Sequence, residues 1–188
     1  MAWFSSLLRG LRATAVLWLL TVVVITLPML AVARLVAPDQ AEGSLIRLGA
    51  NGKIIGSRLV GQPFQSSRYL QSRPAGAPNL APSNPELRHR VAAANQRWQG
   101  LGVASPAADL LMDSASGVDP HISLAAARAQ LPALARERGL PVETLERLVR
   151  AHQQGPLGGQ SIETVVDVLG FNLALDQIRP PGAPAAQP

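Results

Sequence analysis

Five side chains of the types found in hydrolase active sites lie close together in the segment Asp109–Ser123 (DLLMDSASGVDPHIS). A serine nucleophile, a histidine base and an aspartate are the groups of a Ser-His-Asp triad. However, the chain has no G-x-S-x-G turn, and triad members normally come from separate elements. We therefore favour a structural turn whose Ser and Asp side chains bond to nearby backbone, and a serine hydrolase remains the alternative. The five residues are Asp113, Ser114, Ser116, Asp119 and His121.

The same segment does not have the spacing of a calcium loop. Counted from Asp113, the third and fifth positions are Ala115 and Gly117, where an EF-hand needs oxygen ligands. The three histidines stand apart in the sequence without a zinc-binding pattern. The single lysine, Lys53, is followed by isoleucine, so it does not belong to a phosphate-binding loop. We therefore expect no catalytic residue, no metal and no cofactor bound by this chain alone.

The charge distribution argues against a nucleic-acid partner. The formal net charge is +5, but three of the arginines flank one apolar run and the remaining charges are nearly balanced. A phosphate-binding surface needs a concentrated basic stripe. The chain has no cysteine and hence no disulfide, so its compartment has to be inferred from its topology.

An uncharged apolar run extends from Ala13 to Ala33 and contains Trp18 and Pro28. As a helix of about 21 residues it would be about 32 Å long, close to the hydrocarbon thickness of a bilayer. Pro28 would remove one backbone hydrogen bond, a defect that transmembrane helices tolerate when neighbours supply a partner. Trp18 and Pro28 are the candidates for packing within the membrane. Two arginines precede the run and one follows it, which favours a cytoplasmic N-terminus.

These features predict four regions: a cytoplasmic tail (1–12), a transmembrane helix (13–35), an extracytoplasmic domain (36–179) and a disordered tail (180–188). The alternative is a secreted binding protein, released by cleavage after Ala33 in the sequence Ala31-Val32-Ala33. The apolar run is longer than the usual signal-peptide core of about 7–15 residues, which favours a retained anchor.

The fold class predicted for the outer domain is α+β. Leu45–Gly61 reads as a β-hairpin that turns at Asn51-Gly52, and an irregular loop region follows up to Pro85. Three helices are then expected. The first begins at Pro85, is capped by Asn84 and ends before Gly100, and the second runs from Ser123 through Ala135. The third runs from Pro141 to about His152 and carries an apolar stripe of Leu145, Leu148 and Val149. The face made by Leu87, Val91, Ala94 and Trp98 is predicted to be core, and Val165–Leu175 is interpreted as a last helix.

Several segments, in this order, resemble the KdpC family, the C subunit of the Kdp-type potassium-transporting ATPase. Short departures occur, such as Met112-Asp113 in place of a usual Thr-Ala pair. The matching segments are Gly56–Phe64 (GSRLVGQPF), Tyr69 with Arg73-Pro74, Asn79–Pro85 (NLAPSNP), Ser114–Ser123 (SASGVDPHIS), Arg136–Leu140 (RERGL) and Asn172–Asp176 (NLALD).

The resemblance implies an accessory, non-catalytic subunit of a complex in the bacterial inner membrane. Its expected partners are a channel-like potassium-binding subunit, a P-type ATPase subunit and the lipid bilayer. ATP and potassium would be used by the complex. This chain would assist assembly and coupling, or act as a catalytic chaperone that raises the ATP affinity of the hydrolysing subunit. The residues expected to form partner interfaces or structural motifs are Gly61, Gln62, Tyr69, Arg73, Pro74, Asn79, Ser83, Asn84, Ser114, Ser116, Gly117, Asp119, His121 and Asn172.

Overall fold

The structure is a computed structural model that describes residues 2–48, 52–76, 80–155 and 163–178. Its contacts divide the chain into two units, Met1–Ile55 and Gly56–Pro188. The predicted limits at residues 12, 36 and 179 depend on the position of a membrane and stay predictions. Asn79 and the tail from 180 to 188 lie outside the described residues.

The first unit is dominated by a long apolar helical segment. Helix α1 (Ala2–Thr21) runs into a π-helical turn (Val22–Thr26) and then into α2 (Leu27–Val36). The helix thus begins well before Ala13 and includes the segment interpreted as a separate tail. It is the one helix in the described part of the chain that is long and apolar enough to cross a membrane. None of the residues in its most apolar stretch is buried.

A short helix and a β-hairpin follow. Helix α3 (Pro38–Ala41) leads to strands β1 (Leu45–Leu48) and β2 (Lys53–Ser57), which pair in a two-stranded sheet. Gly52 has a φ of 59°, the positive value that a type I′ turn requires at this position. The predicted hairpin is therefore confirmed, while Asn51 lies outside the described residues.

The second unit begins with irregular loops and the helix α4 (Pro85–Gly100). Asn84 caps α4 by accepting a hydrogen bond from the Glu86 N–H, as predicted. Gly100 is the last helical residue instead of lying beyond the helix end. Four residues of α4 were expected to form a core face, but Trp98 is the one buried residue of this helix. Trp98 donates to the carbonyl of Leu110 in the short helix α5 (Ala108–Leu111).

The remaining elements form three helices and a small sheet. Strand β3 (His121–Ser123) precedes α6 (Leu124–Arg138), and α7 (Val142–His152) runs into β4 (Gln153–Gln154). The apolar segment predicted as a single helix is instead strand β5 (Val165–Asp167) followed by α8 (Val168–Gln177). Strand β5 lies in the centre of an antiparallel sheet of order β3-β5-β4. These elements confirm the α+β fold class.

The core of the second unit lies between the sheet and helices α6, α7 and α8. The apolar stripe predicted on α7 is confirmed, because Leu145 and Val149 are fully buried and Leu148 packs against the core. Each strand is too short to bury much surface alone, so the helices supply most of the apolar contact. The other fully buried large apolar residues are Leu70, Leu110, Ile122, Leu131, Val166, Phe171 and Leu175.

Candidate partner-interface site

The acidic residue at the start of the polar segment holds the beginning of α6. The Asp109 carboxylate accepts hydrogen bonds from the backbone N–H of Ser123 at 2.7 Å and from its hydroxyl at 3.1 Å. The Ser123 hydroxyl oxygen in turn accepts from the Ala126 N–H at 3.0 Å, as a helix N-cap does. Asp109 and Ser123 therefore fix the junction between α5, β3 and α6.

The serines and aspartate of residues 114–119 bond to their own turn. The Ser114 hydroxyl oxygen accepts from the Asp119 N–H, and the Ser116 hydroxyl oxygen accepts from the Val118 N–H. The Asp119 carboxylate accepts from the backbone N–H of His121 at 3.0 Å. These are the local side chain to backbone bonds of Asx and Ser turns, so the turn predicted for this segment is confirmed.

The geometry of His121 does not support a serine nucleophile. Its Nδ1 lies 3.8 Å from an Asp119 oxygen. Within the described ranges it makes no hydrogen bond to Ser114 or Ser116, whose hydroxyls lie 3.4 Å from each other. A general base has to reach the hydroxyl that it activates. The same part of the chain holds no group of three or more His, Asp or Glu arranged for a metal ion.

Two glycines allow other loops to approach this turn. The Gly61 N–H donates to the Val118 carbonyl at 2.7 Å. A Cβ at Gly61 would meet the backbone oxygen of Asp119. Gly117 has a φ of 71°, and a Cβ there would meet the backbone oxygen of Gly76. Both positions therefore require glycine, because backbone, which cannot move aside easily, occupies the space of a side chain.

Arg73 joins the same loops through its guanidinium. One terminal nitrogen lies 3.5 Å from an Asp119 carboxylate oxygen, and the other donates to the Asp113 carbonyl at 3.1 Å. Beside it, the Ser72 hydroxyl donates to the Gln62 carbonyl at 3.1 Å. We call the segments 61–63, 72–75 and 117–119 the loop junction. The cavity that they enclose is only about 10 Å³, so the junction is packed and holds no ligand-sized space.

An open cleft of about 760 Å³ adjoins the loop junction. Arg73 and Asp119 belong to both, so the bonds that hold the junction also shape one wall of the cleft. Its walls combine both charge signs with apolar surface, as protein–protein contact surfaces do. The polar residues that line the cleft are Arg73, Asp109, Asp119, His121, Ser123, Glu163 and Thr164.

A second site lies where the loop Tyr69–Gln71 enters the core. The Asn172 amide oxygen accepts from the Leu70 N–H at 2.9 Å, and its amide nitrogen donates to the Leu70 carbonyl at 2.9 Å. Gln130 does the same for Gln71, with distances of 2.9 and 3.1 Å. Asn172 and Gln130 are both buried. Their side chains replace the hydrogen bonds that a neighbouring strand would otherwise supply.

We call the side-chain amides of Gln130 and Asn172 the amide clamp. Next to it, an arginine joins the loop to two helices. Arg138 stacks over the Tyr69 ring, with its guanidinium carbon 4.7 Å from the ring centroid. It donates to the Arg68 carbonyl at 2.6 Å and to the Asp176 carboxylate at 2.8 Å. The Tyr69 hydroxyl donates to the other Asp176 oxygen at 3.0 Å.

The structure thus distributes the predicted residues among three places. Ser83 is exposed, and Asn84 caps α4. The two places that bring several predicted residues together are the loop junction with its flanking turn (Gly61, Gln62, Arg73, Pro74, Ser114, Ser116, Gly117, Asp119, His121) and the amide clamp (Tyr69, Asn172).

Sequence reasoning missed four residues of these sites. Arg138 and Asp176 lie inside segments that resemble the family, but nothing in the sequence links them to Tyr69. Gln130 could have been recognised as a polar residue between the apolar positions of α6. Asp109 is the first residue of the polar segment, but the sequence does not indicate its hydrogen bonds to Ser123.

In the first unit, Trp18 is exposed, and Pro28 lies two residues after the end of the π-helical turn. The Leu27 N–H donates to the Val22 carbonyl, five residues back. The wider turn replaces the regular pattern just before the proline, which is how membrane helices commonly accommodate one.

Comparisons with known proteins agree over nearly the whole chain. A family model described as "K+-transporting ATPase, c chain" matches residues 7–177. A "Potassium-transporting ATPase KdpC subunit" of Synechocystis sp. is 43% identical, covering 89% of this chain and 95% of that protein. A KdpC subunit 1 of Nostoc sp. is 40% identical, with 92% and 96% covered. A KdpC subunit of Pseudomonas aeruginosa is 40% identical, with 94% and 99% covered.

Proposed function

Because the chain belongs to the KdpC family of potassium-transporting ATPase subunits, we propose that it is the accessory subunit of a high-affinity, ATP-driven potassium uptake complex. The observation that supports this most is the extent of the match, residues 7–177, which includes both the apolar helix and the α+β unit. The proposed partners are the channel-like potassium-binding subunit and the P-type ATPase subunit of such a complex.

The proposed topology is a single pass through the bacterial inner membrane. The N-terminus lies in the cytoplasm and the second unit outside it. The uncharged run from Ala13 to Ala33 and the excess of arginine on its N-terminal side support this orientation. N-terminal sequencing of the membrane-extracted protein tests it, because a mature chain that starts at Arg34 would refute the anchor.

The proposed role of the outer domain is to dock on the channel-like subunit near the potassium entrance. The polar side chains of the loop junction bond to backbone and to each other, which holds the rim of the adjoining cleft in one shape. A rigid rim lowers the entropy that is lost on binding. The cleft beside it, about 760 Å³ and lined by both charge signs, is the proposed contact surface.

The effect on ATP use would be indirect. In the proposed topology the outer domain and cytoplasmic ATP lie on opposite sides of the membrane. The chain would then raise the ATP affinity of the hydrolysing subunit by favouring one state of the complex, which is an allosteric coupling. Deleting residues 57–188 while keeping the membrane helix should weaken the apparent affinities for potassium and ATP, and unchanged values would contradict the coupling.

Capture of the affinity-tagged full chain from gently solubilised membranes tests the function itself. We expect both other subunits to be recovered in stoichiometric amounts. Recovery of the chain alone would refute the proposal, and labelling by a serine-reactive phosphonate would revive the hydrolase alternative.

The docking surface has its own test in two matched variants. Ala125 is an exposed helical alanine that lines the cleft, and Ala151 is an exposed helical alanine on α7. Ala125→Trp should fill part of the cleft and reduce recovery of the channel-like subunit, whereas Ala151→Trp should leave it unchanged. Equal recovery with both variants would move the interface elsewhere.

A further inference from the structure

The π-helical turn and Pro28 together leave the Val23 carbonyl of the apolar helix without a backbone donor, and Pro28 also removes the α-helical donor of the Val24 carbonyl. In a regular α-helix the Val23 carbonyl would accept from the Leu27 N–H, but that N–H bonds to Val22 instead. In a π-helical pattern its donor would be residue 28, five residues on, and Pro28 has no N–H. Neither the α-helical nor the π-helical pattern therefore supplies a donor to the Val23 carbonyl.

Nearby side chains do not supply the missing bond. Thr21 donates its hydroxyl to the Leu17 carbonyl, as threonines in helices often do. Thr26 lies three residues after Val23, but its side chain makes no cap hydrogen bond and has no other hydrogen-bond partner in the part of the chain that the structure describes. A free acceptor, the Val23 carbonyl, and a free hydroxyl, that of Thr26, thus lie within one turn.

The position of the Val23 carbonyl in the apolar run excludes water and lipid headgroups as its hydrogen-bond donors. Val23 is the middle residue of the uncharged run from Ala13 to Ala33, ten residues from either end. At 1.5 Å per residue, the carbonyl would lie about 15 Å from each boundary of a membrane that the run spans. Water and lipid headgroups do not reach that depth, and an unsatisfied polar group in hydrocarbon costs several kcal/mol.

We propose that the Val23 carbonyl and the Thr26 hydroxyl form a docking point for another transmembrane helix, which inserts a polar hydrogen-bonding side chain at the bilayer midplane. The donor would be Ser, Thr, Asn, Gln, Tyr or Trp, the neutral donors that such helices use. The inference rests on the proposed function, because the complex supplies the partner helix. It adds the atoms that the partner recognises and the class of side chain that recognises them.

Site-specific photo-crosslinking in the intact complex tests the face of the helix that is used. A benzophenone amino acid replaces either Leu27, on the same face as Val23, or Ile25, on the opposite face. The two side chains are matched in exposure, at 51% and 53%. We expect Leu27 to capture a transmembrane peptide that carries such a donor within one turn, and Ile25 to capture mainly lipid. Equal capture, or a captured helix without a donor, would overturn the proposal.

A double-mutant cycle then tests the hydrogen bond. Pro28→Ala restores the missing N–H and lets the helix satisfy Val23 itself, so recovery of the partner should fall about three- to thirtyfold. Met29→Ala, a neighbouring truncation that keeps the proline, is the control and should change recovery little. Replacing the captured donor by an apolar residue should give a similar loss that does not add to that of Pro28→Ala.

Additive losses, or undiminished recovery of Pro28→Ala, would overturn the docking point. In both cases the complex is still captured, so the proposed function stands. Failure of the wild-type chain to capture any partner would refute the proposed function instead.

Discussion

The amide clamp of Asn172 makes a prediction about stability whose size can be worked out from the structure. Asn172→Leu keeps a similar volume but leaves the Leu70 N–H and carbonyl without partners, and Leu70 is fully buried. Each buried group left unsatisfied costs about 1–3 kcal/mol, so the free energy of unfolding should fall by about 2–6 kcal/mol. A typical domain has only about 5–15 kcal/mol in total.

Urea unfolding of the full chain in detergent micelles measures this loss. Trp3 and Trp18 are first replaced by Phe, so that the buried Trp98 becomes the single tryptophan reporter. With an m-value of about 2 kcal/mol/M, the midpoint should shift by about 1–3 M. The control is Asn95→Leu, because Asn95 is a partly exposed helical asparagine without a side-chain hydrogen bond in the described ranges. It should change stability by less than about 0.5 kcal/mol.

A loss in Asn172→Leu no larger than that of the control would refute the clamp. The second amide gives an internal check, because Gln130 holds the adjacent residue Gln71 in the same way. If both side chains hold one segment, the two substitutions should be non-additive by about 0.5–3 kcal/mol. Simple additivity would show that Leu70 and Gln71 are held independently.

Three further outcomes are expected in the same unfolding assay. Gly117→Ala should lower the free energy of unfolding more than Gly139→Ala. Both glycines have positive φ, but only at Gly117 would an added Cβ also meet backbone atoms of another loop. Equal losses would contradict the close approach of the loops. Arg138→Lys should lose about 1–2 kcal/mol, since an ammonium cannot both stack on the tyrosine and keep the forked bonds. Ser123→Ala should lose about 0.5–2 kcal/mol, the usual cost of removing a helix N-cap, and no change would show that the cap is dispensable.

Features set by local backbone chemistry could be predicted from the sequence. Asn84 before Pro85 and Ser123 before an apolar helix are capping patterns, and both residues accept the expected N–H bonds. The hairpin around Asn51-Gly52 follows in the same way from the need for positive φ. The polar segment was correctly interpreted as a turn, because its serines and aspartates lie too close in sequence to act as a triad.

Features set by contacts between distant segments could not be predicted. Strands β3, β4 and β5 have two or three residues each, too few for any alternation to show. Helical spacing correctly placed the apolar residues of α4 on one face, but spacing does not tell whether another element covers that face, and only Trp98 is buried. The hydrogen bonds from Asn172 to Leu70 join residues that are 102 positions apart, so no local sequence pattern indicates them.

The two units offer different kinds of surface to a partner. The long helix exposes a continuous set of large apolar side chains. Among the described residues of the second unit, the exposed large apolar residues are few, namely Leu59, Val60, Met112, Val118 and Val142. Continuous apolar exposure requires cover by lipid or protein, while isolated exposed residues do not. The cleft of the second unit instead offers charges fixed by hydrogen bonds, which favour specificity and orientation more than affinity. The helix should therefore contribute most of the apolar contact with the complex, and the cleft of the second unit should determine how the subunit is oriented.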